Sequence, residues 1–440
     1  MNATADLEAD APVTYGKIMW RIMPFLLLLY LICYIDRVNI GFAKLQFLTD
    51  LGLNNAQYGL ATGLFFVTYS LFDIPSNLML SRIGVRKTLL RIMVMWGLLT
   101  SLQAFIRTAE HLYILRILFG AAEAGFIPGI MLYMTYWFPN YYRARVVSLF
   151  LMAVPLSGVV GAPISGAIMQ HLNDVGGLRG WQWLFVLEGI PAIILGIVAF
   201  AYLDDRPSGA KWLTKADKER IERDIARDRA ASGSGNKASF SDALRDPFLY
   251  AMALMNFAVN AGANAVSFWT PTLLKSAGLT DFGSIGLVTG GISTVSAVAM
   301  LLIGRNSDRT MERRWHFAAC GLLGAGALLM LPLADHNVAA MTAVLTLAAI
   351  GNFCVFSIYW TIPTSYLQGR GAAGGIALAS MVGAFGSGVS PTIIGYFQVQ
   401  TGSLYVGLAA VAAIVIVGVV IAITIVPARP VAVATAPATR

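Results

Sequence analysis

The stretch NLMLSRIGVRK, residues 77–87, separates two long apolar runs, and a similar stretch, GRNSDRTMERR, occupies residues 304–314. The second copy begins 227 residues after the first. Three pairs of positions carry the likeness: Arg82 with Arg309, Arg86 with Arg313, and Ser81 with Asp308. Pro163 and Pro391, each in a glycine-rich apolar run, recur at nearly the same spacing. Two features repeated at one spacing indicate an internal duplication of the chain.

The composition around these stretches is that of a membrane protein. The chain has 440 residues, of which 57% are hydrophobic and 12% are charged, and its mean hydropathy is +0.69. Ordinary globular domains carry about 25% charged residues. A transmembrane helix needs about 20 apolar residues, so the chain has room for about a dozen. A soluble multidomain enzyme is excluded, and the continuous apolar runs exclude a β-barrel, whose strands alternate.

The apolar runs predict an all-α membrane protein with twelve transmembrane helices in two pseudo-symmetric six-helix bundles. Such paired bundles are typical of transporters that bind substrate near the membrane midplane and work by alternating access. The twelve expected spans are 18–45, 56–80, 88–107, 110–137, 145–170, 181–203, 247–273, 282–304, 315–333, 338–363, 372–397 and 403–426. The expected parts of the chain are an N-terminal segment (1–17), a first bundle (18–203), a linker (204–246), a second bundle (247–426) and a tail (427–440).

The linker and tail are the polar parts of this plan. Opposite charges three and four residues apart in Lys211–Arg229 predict a solvated amphipathic helix. ASGSGNKAS, residues 231–239, predicts a flexible linker, and the Ala/Pro/Val-rich tail predicts disorder.

The distribution of basic residues sets the expected orientation. With both termini in the cytoplasm, the outer loops hold only Lys44, Arg107, Arg179 and Lys275, as the positive-inside bias requires. The same bias accounts for the net charge of +8 without a nucleic-acid partner. We therefore expect the lipid bilayer and small solutes to be the partners of this protein. No removable signal peptide is visible in the first 16 residues.

No cofactor, metal site or enzymatic activity is expected. The three cysteines all lie inside apolar runs, which argues against a disulfide framework. The four histidines stand at the edges of such runs, which argues against a buried haem or metal centre. Neither a zinc-protease motif nor a serine–histidine arrangement is present.

Six ionisable residues fall within predicted spans, where a charge costs roughly 2.5–3.5 kcal/mol at the bilayer centre. They are Asp36, Arg37, Asp73, Arg116, Glu123 and Glu188. Arg116 and Glu123 are two helical turns apart, so they share a face about 10 Å apart along the axis. Counted from the helix ends, Arg37 and Arg116 fall at comparable depth. Two converging guanidinium groups would bind a carboxylate strongly.

Two interpretations of these charges are open. The arginines could pair with Asp36 and Glu123 in a static structural network. Alternatively, the same salt bridges form when the site is empty and give way to a substrate carboxylate when it is full. Apolar burial favours the protonated acid and a neighbouring arginine favours the carboxylate, so an acid between these influences can gain and lose a proton. We favour the second interpretation.

Several longer segments carry a resemblance to a known family. The two repeated stretches resemble the loop motif of the major facilitator superfamily, with departures at Asn77, Ser81 and Met311. More specific segments resemble the anion:cation symporter family within it. These segments are YIDRVNIGFA (34–43), FFVTYSLFDIPSNLML (65–80), RILFGAAEAGFIPG (116–129), YWFP (136–139), GWQWLFVLEGIPA (180–192) and SDRTMERRWH (307–316). The similarity extends from about residue 15 to residue 426.

The resemblance implies roles for the buried charges. Residues matching Asp36 and Glu123 serve as proton-coupling acids, and residues matching Arg37 and Arg116 hold the anion. It also implies a monomer in a bacterial inner membrane. Tyr34, which lies within the first of the matching segments, is expected to wall the substrate site.

Other charged residues are expected to gate the protein or to hold its helices together. Asp73 is expected to form a structural or gating ion pair near Arg82 and Arg86. Glu188 is expected to be an interfacial or helix-contact residue. The predicted latch of the outward-facing state consists of Arg82, Arg86, Asp308, Arg309 and Arg313. Gly41 and Pro128 are expected to let their spans bend.

Polar residues of the second half are the remaining candidates. Asn256, Asn260 and Asn264 recur every four residues on one face of span 7, which predicts either cavity lining or helix contact. Asn260 and Asn264 are the preferred binding residues. Tyr69 and Trp360 stand in segments that match pocket-lining stretches of the family.

The sequence leaves the substrate open. Ser380 replaces an asparagine that is usual in members of the sugar-acid type, which favours a less hydroxylated or aromatic acid, whereas the asparagine face favours a hydroxylated one. The predicted function is proton-coupled import of a small organic carboxylate, such as a hydroxy or sugar acid like tartrate or galactonate, or an aromatic acid. An exporter or antiporter of organic anions with the same fold is the alternative.

Overall fold

The computed structural model describes residues 11–232, 246–310, 312–362 and 370–426. Within these ranges the chain is helical and forms no β-strand. A helix satisfies every backbone hydrogen bond internally, which the bilayer demands because it supplies no water. The predicted tail and most of the predicted flexible linker lie outside the described residues.

The first half of the chain forms ten helices in its described residues. They are α1 (Ala11–Val38), α2 (Ile40–Leu51), α3 (Asn55–Ile83), α4 (Val85–Leu102), α5 (Ala109–Glu123), α6 (Phe126–Trp137), α7 (Asn140–Leu151), α8 (Ala153–His171), α9 (Gly180–Tyr202) and α10 (Lys215–Ser232). Short 3-10 turns at Gln103–Phe105 and Pro207–Gly209 follow α4 and α9.

The second half forms six helices in its described ranges. They are α11 (Pro247–Ser276), α12 (Phe282–Thr310), α13 (Arg314–Met330), α14 (Val338–Tyr359), α15 (Arg370–Thr401) and α16 (Leu404–Ile425). A 3-10 turn at Leu331–Ala334 extends α13.

Eleven helical segments in the described ranges are long and apolar enough to cross a membrane. Helix α11 is not among them, because the asparagines of its polar face lower its hydropathy. Its 30 residues correspond to about 45 Å, which is ample for a hydrocarbon core of about 30 Å. With α11 as the twelfth, the helices match the predicted spans.

Two of the predicted spans are interrupted beside their charged residues. The first is interrupted at Asn39, between α1 and α2, and the fourth at Ala124 and Gly125, between α5 and α6. Gly41 and Pro128, which were expected to let these spans bend, lie in α2 and α6 just after the interruptions, and that expectation stays a prediction. Pro128 lies in the first turn of α6, where a missing N–H group disrupts no helical hydrogen bond.

The chain divides into two compact units. The first contains residues 1–53, 64–235 and 281–290, and the second contains residues 54–63, 236–280 and 291–440. Chain order alone would place residues 54–63 in the first unit and residues 281–290 in the second. Each of these short segments belongs instead to the other unit.

Close backbone contacts explain why each short segment belongs to its unit. In the second unit, the Thr392 hydroxyl donates to the Gly59 carbonyl at 3.0 Å, and a Cβ atom on Gly59 would lie 2.4 Å from the Pro391 carbonyl. In the first unit, a Cβ atom on Gly286 would lie 2.6 Å from the carbonyl of Ala162.

Helix α10 docks on the first unit through an acidic face. Asp217 accepts a hydrogen bond from the Thr14 hydroxyl at 2.7 Å, and Asp224 accepts one from the Tyr15 hydroxyl at 2.8 Å. Ile221, between these aspartates on the same face, is fully buried. The charge pattern of α10 predicts a solvated helix. The structure corrects this for one face, because the aspartates find hydroxyl donors on α1 that the charge pattern of α10 cannot reveal.

Replacing Asp217 by asparagine is expected to loosen this docking. Burial alone would raise the pKa of Asp217, but hydrogen bonds from Thr14 and Thr214 outweigh it and lower the pKa. The carboxylate therefore contributes stability that is present above its ordinary pKa of about 3.9 and is lost as the pH falls through the lower folded value. One hydrogen bond to a charged group contributes about 1.5–3 kcal/mol. Hydrogen exchange of α10 at pH 7 should therefore accelerate about tenfold or more.

Glu219 provides the matched control for this experiment. It lies on the exposed side of α10, in a long ion pair with Lys215. Its replacement by glutamine should leave exchange of α10 unchanged, because exposed pairs contribute little. Equal exchange in the two variants would contradict the docking. Docking of the parent should persist from pH 6 to 8 and weaken only near pH 4 and below.

Candidate functional site

An ion pair between α1 and α5 lies at the centre of the charged residues in the first unit. The Arg37 Nε donates to Glu123 Oε1 at 3.0 Å, and the Nη2 group of Arg37 contacts the same oxygen. The Cys33 thiol also donates to Oε1, at 3.3 Å. Glu123 is fully buried, and its Oε2 accepts no hydrogen bond from any described residue. One carboxylate oxygen thus holds the arginine while the other stays available.

Aromatic rings surround the Arg37 guanidinium. Its Cζ atom lies 5.0 Å from the ring centre of Tyr69 and 5.7 Å from those of Tyr34 and Phe65. Cation–π contacts of this kind stabilise a charge in an apolar setting and orient its planar fork. The structure therefore brings Tyr34, Arg37, Tyr69 and Glu123 together.

Asp36 and Arg116 are buried in the same unit. Asp36 is 1% exposed, and its Oδ2 accepts a hydrogen bond from the Trp96 indole N–H at 2.6 Å. Arg116 is also 1% exposed, and its Cζ atom lies 5.6 Å from the ring centre of Phe119. Trp96 was missed by the sequence analysis, since an indole in an apolar run gives no sign of which acid it meets.

The interruption of span 4 directly follows Glu123. Gly125 has a positive φ of 85°, and its backbone N–H donates to Asp73 Oδ1 at 3.1 Å. Asp73 was predicted to lie near Arg82 and Arg86, and the structure places it at the α5–α6 break. Arg86 instead binds the end of α9, where its Nε donates to the Phe200 carbonyl at 2.8 Å.

Replacing Gly125 by alanine is expected to destabilise the protein and impair transport. A residue with a Cβ atom pays about 1–2 kcal/mol at this φ. The new Cβ atom would also lie 2.3 Å from the Ser76 hydroxyl oxygen, so the α5–α6 break and Glu123 would shift. We expect a lower melting temperature in detergent and slower substrate counterflow.

Replacing Gly177 by alanine is the control that separates the conformational penalty from the steric clash. Gly177 has a similar φ of 76°, but a Cβ atom there meets nothing within 4 Å. Gly177→Ala should therefore show only the conformational penalty. Equal losses of melting temperature in the two alanine variants would contradict a steric role for Gly125.

In the second unit, the asparagine face of α11 contacts α15. The Asn256 amide donates to the Ala379 carbonyl at 2.9 Å, and the Asn264 amide donates to the Ser387 hydroxyl at 3.0 Å. Asn260 accepts from Ser387 at 3.2 Å and donates to Asn256. These bonds show the helix-contact role that was one of the two alternatives. The substrate-binding role of Asn260 and Asn264 stays a prediction.

The other candidates of the second unit also stay predictions. Ser380 donates to the Ile376 carbonyl of its own helix at 2.8 Å and is exposed, and Trp360 packs against Tyr359 and a buried apolar cluster. Among the predicted gating residues, Arg313, directly before α13, pairs with Asp308 in the last turn of α12 at 2.6 Å. The side chains of Arg82, in the first unit, and Arg309, in the second, are exposed.

Glu188 was expected to be an interfacial or helix-contact residue. The structure buries it to 6% exposure, and the Ser165 hydroxyl on α8 donates to it at 2.7 Å, which is the helix contact of these two alternatives. Within the described ranges, no three His, Cys, Asp or Glu side chains form a group suited to a metal ion.

Long apolar helices that bury an arginine–carboxylate pair are typical of multi-pass membrane transporters. A family model described as "Major Facilitator Superfamily" matches residues 26–391. This chain belongs to the major facilitator superfamily.

Curated relatives agree with the organic-anion branch that the sequence segments indicate. "Putative metabolite transport protein NicT" of Pseudomonas putida is 42% identical over 92% of this chain and 94% of its own length. "Putative tartrate transporter" of Agrobacterium vitis is 40% identical over 98% and 95%. "Quinolone resistance transporter" of Acinetobacter baumannii is 34% identical over 94% and 95%.

A solved structure shares the fold. The crystal structure of a D-xylose-proton symporter superposes with a TM-score of 0.72 over 94% of this chain and 98% of its own. The sequence identity is 16%, so this similarity concerns the fold alone.

Proposed function

We propose that this protein imports a small organic carboxylate together with protons. The observation that carries the proposal is the buried Arg37–Glu123 pair, with Arg116 and Asp36 in the same unit. A buried ion pair is a costly way to stabilise a helical bundle, since desolvation offsets most of its attraction. A pair that opens to receive a substrate anion explains why both charges are there.

The chemistry follows from competition for one guanidinium group. An incoming carboxylate binds the planar fork of Arg37 bidentately and displaces Glu123. The displaced Glu123, buried among apolar side chains without its counter-charge, takes up a proton. Releasing the substrate restores the ion pair and expels the proton. Binding of the anion and binding of the proton are therefore linked, which is the requirement for symport.

The substrate class follows from the surroundings of the arginines. Rings of Tyr34, Phe65 and Tyr69 against Arg37 favour a planar acid, and the two tyrosine hydroxyls can also bond a hydroxy acid. Two of the relatives are named for tartrate and for metabolite transport. Hydroxy or sugar acids and aromatic acids are accordingly both in the proposed class.

Uptake by proteoliposomes with an internal pH dye tests the proposal. The substrates offered are tartrate, galactonate, glucarate, phthalate and hydroxyphenylacetate. Internal acidification with one of these acids is the expected result. Counterflow without a pH change would retain the anion site and overturn proton symport. Absence of transport with every acid would overturn the substrate class.

Export is the second candidate function, and one relative favours it. The transporter named for quinolone resistance matches this chain over nearly its whole length, and outward transport of the compound is one way in which a transporter confers resistance. Imposing the proton gradient in either direction on oriented proteoliposomes separates the two. Uptake that requires protons on the substrate side supports import, and uptake that requires protons on the opposite side supports antiport.

The setting of the proposed transporter is a bacterial inner membrane. Both termini are assigned to the cytoplasm from the positive-inside distribution of lysine and arginine. The protein is proposed to act as a monomer, as the family resemblance implies.

A further inference from the structure

A cleft of about 430 Å³ opens in the first unit, where α2 and α4 end and α9 begins. The positive-inside distribution of lysine and arginine assigns this end of the helices to the periplasmic side. Pockets for small molecules measure about 300–1,000 Å³, so a small organic acid fits in the cleft. None of the buried charged residues on α1 and α5 lines it, which makes the cleft distinct from the site proposed for transport.

One wall of the cleft is a network of satisfied polar groups. Asp50 accepts a hydrogen bond from the Nε group of Arg179 at 3.0 Å and another from the Trp181 indole at 2.9 Å. A further donor of Arg179 pairs with Asp174 at 2.8 Å, so two carboxylates offset the charge of this arginine. The Gln182 amide bonds two backbone groups, at 2.7 and 2.8 Å. These bonds hold the wall in place and leave it without a net positive charge.

Arg107 is the charged residue of the cleft that is not balanced in this way. It lies between the 3-10 turn Gln103–Phe105 and α5, and its side chain is exposed. The guanidinium group forms no ion pair or hydrogen bond with any residue of the described ranges. The cleft therefore presents one positive charge that is available to an anion from solution.

Apolar side chains line the cleft beside this charge. Phe105 and Ile106 directly precede Arg107, and Leu51 at the end of α2 lines the same space. The Phe105 ring is 63% exposed, so a flat ligand can stack on it. A guanidinium group binds a carboxylate through two parallel hydrogen bonds. One available guanidinium group beside an exposed ring is complementary to an aromatic acid with a single carboxylate.

We propose that this cleft is a second anion site, which binds an aromatic monocarboxylate through Arg107 and the Phe105 ring. It is separate from the Arg37–Glu123 pair and does not rest on the proposed symport. Because the cleft lies at the end assigned to the periplasm, it meets the acid before transport begins.

Saturation binding of radiolabelled hydroxyphenylacetate to the purified protein in phosphatidylcholine nanodiscs tests this site. In Arg107→Gln, the affinity of one site per chain should fall about tenfold or more, because a charged hydrogen-bond partner is lost. Arg223→Gln is the matched control, since Arg223 is an exposed arginine that donates to the Glu219 carbonyl of its own helix, α10. It should bind as the parent does. Equal binding by the two variants would overturn the proposal, as would a parent that binds no hydroxyphenylacetate.

Related compounds separate the contribution of the charge from that of the ring. Hydroxyphenylethanol has the same ring without the carboxylate, and it should bind at least tenfold more weakly. Phthalate should also bind more weakly, because the cleft offers no second available guanidinium group. Phe105→Ala should weaken binding of hydroxyphenylacetate several fold, and Phe105→Tyr should restore it. Equal binding of the alcohol and the acid would contradict the role of Arg107.

The lipid composition decides whether a phospholipid headgroup occupies the cleft instead. Hydroxyphenylacetate should bind equally well in nanodiscs of phosphatidylcholine and of the anionic phosphatidylglycerol. Loss of binding in phosphatidylglycerol would assign Arg107 to a lipid phosphate and overturn the proposal. Binding is measured without a proton gradient, so failure of the proposed symport and failure of this site are distinguishable.

Discussion

Replacing Glu123 by glutamine is expected to abolish pH-driven accumulation of substrate and to leave substrate exchange intact. Glutamine has the shape of protonated glutamic acid but cannot release a proton. Arg37 loses its counter-charge and remains free to bind the anion, so affinity should be equal or higher. Accumulation should fall to the level of the external concentration, while counterflow stays within a few fold of the parent.

The measurement compares accumulation and counterflow in the same proteoliposome preparation. Glu110→Gln is the matched control, because Glu110 lies in the first turn of the same helix, α5, and is exposed. It should behave as the parent in both assays. Loss of both accumulation and counterflow in a folded Glu123→Gln protein would contradict the coupling role and favour a static structural pair.

Replacing Arg37 or Arg116 by lysine is expected to weaken substrate binding by about 100-fold or more. Lysine keeps the charge but lacks the planar fork that holds a carboxylate bidentately. At Arg37 it also loses favourable contacts with three rings. A 100-fold loss corresponds to about 2.7 kcal/mol, which is within the range of about 2–5 kcal/mol for changing one partner of a buried hydrogen-bonded charge pair.

Substrate-dependent thermal stabilisation in detergent measures this loss without requiring transport. Arg179→Lys is the control, because Arg179 forms two ion pairs with Asp50 and Asp174 at an exposed loop. Exposed pairs contribute little, so its affinity should be that of the parent. If Arg37→Lys binds normally and Arg116→Lys does not, the anion is held by Arg116 alone and the competition with Glu123 is wrong.

The structure changes how the bends near the charges are explained. Gly41 and Pro128 are the residues that the sequence suggests as points of bending. The helices are interrupted at the nearby Asn39 and Gly125. At Gly125 the deciding factor is the neighbour, since Ser76 leaves no space for a side chain and Asp73 binds the freed N–H group. Both neighbours come from α3, about 50 residues away in the chain.

The linker helix α10 likewise makes contacts that its own sequence does not reveal. Its charge pattern predicts a solvated helix, and on the face that carries Glu219 it is solvated. The opposite face docks because Thr14 and Tyr15 present hydroxyl groups to its aspartates. Sequence separation of about 200 residues hides that complementarity.

The sequence by itself determined the membrane class and the helical spans, and it singled out Asp36, Arg37, Arg116 and Glu123 as charged residues within those spans. It could do so because the cost of an exposed backbone or an ionised side chain in hydrocarbon depends on local composition alone. Tertiary structure decided that Arg37 binds Glu123, that Trp96 binds Asp36, and that Glu188 is buried with a hydrogen bond from Ser165. Those pairings depend on the angular position of each residue on its packed helix. A shift of one residue along the helix turns a side chain by about 100° around the axis, which is enough to remove it from its partner.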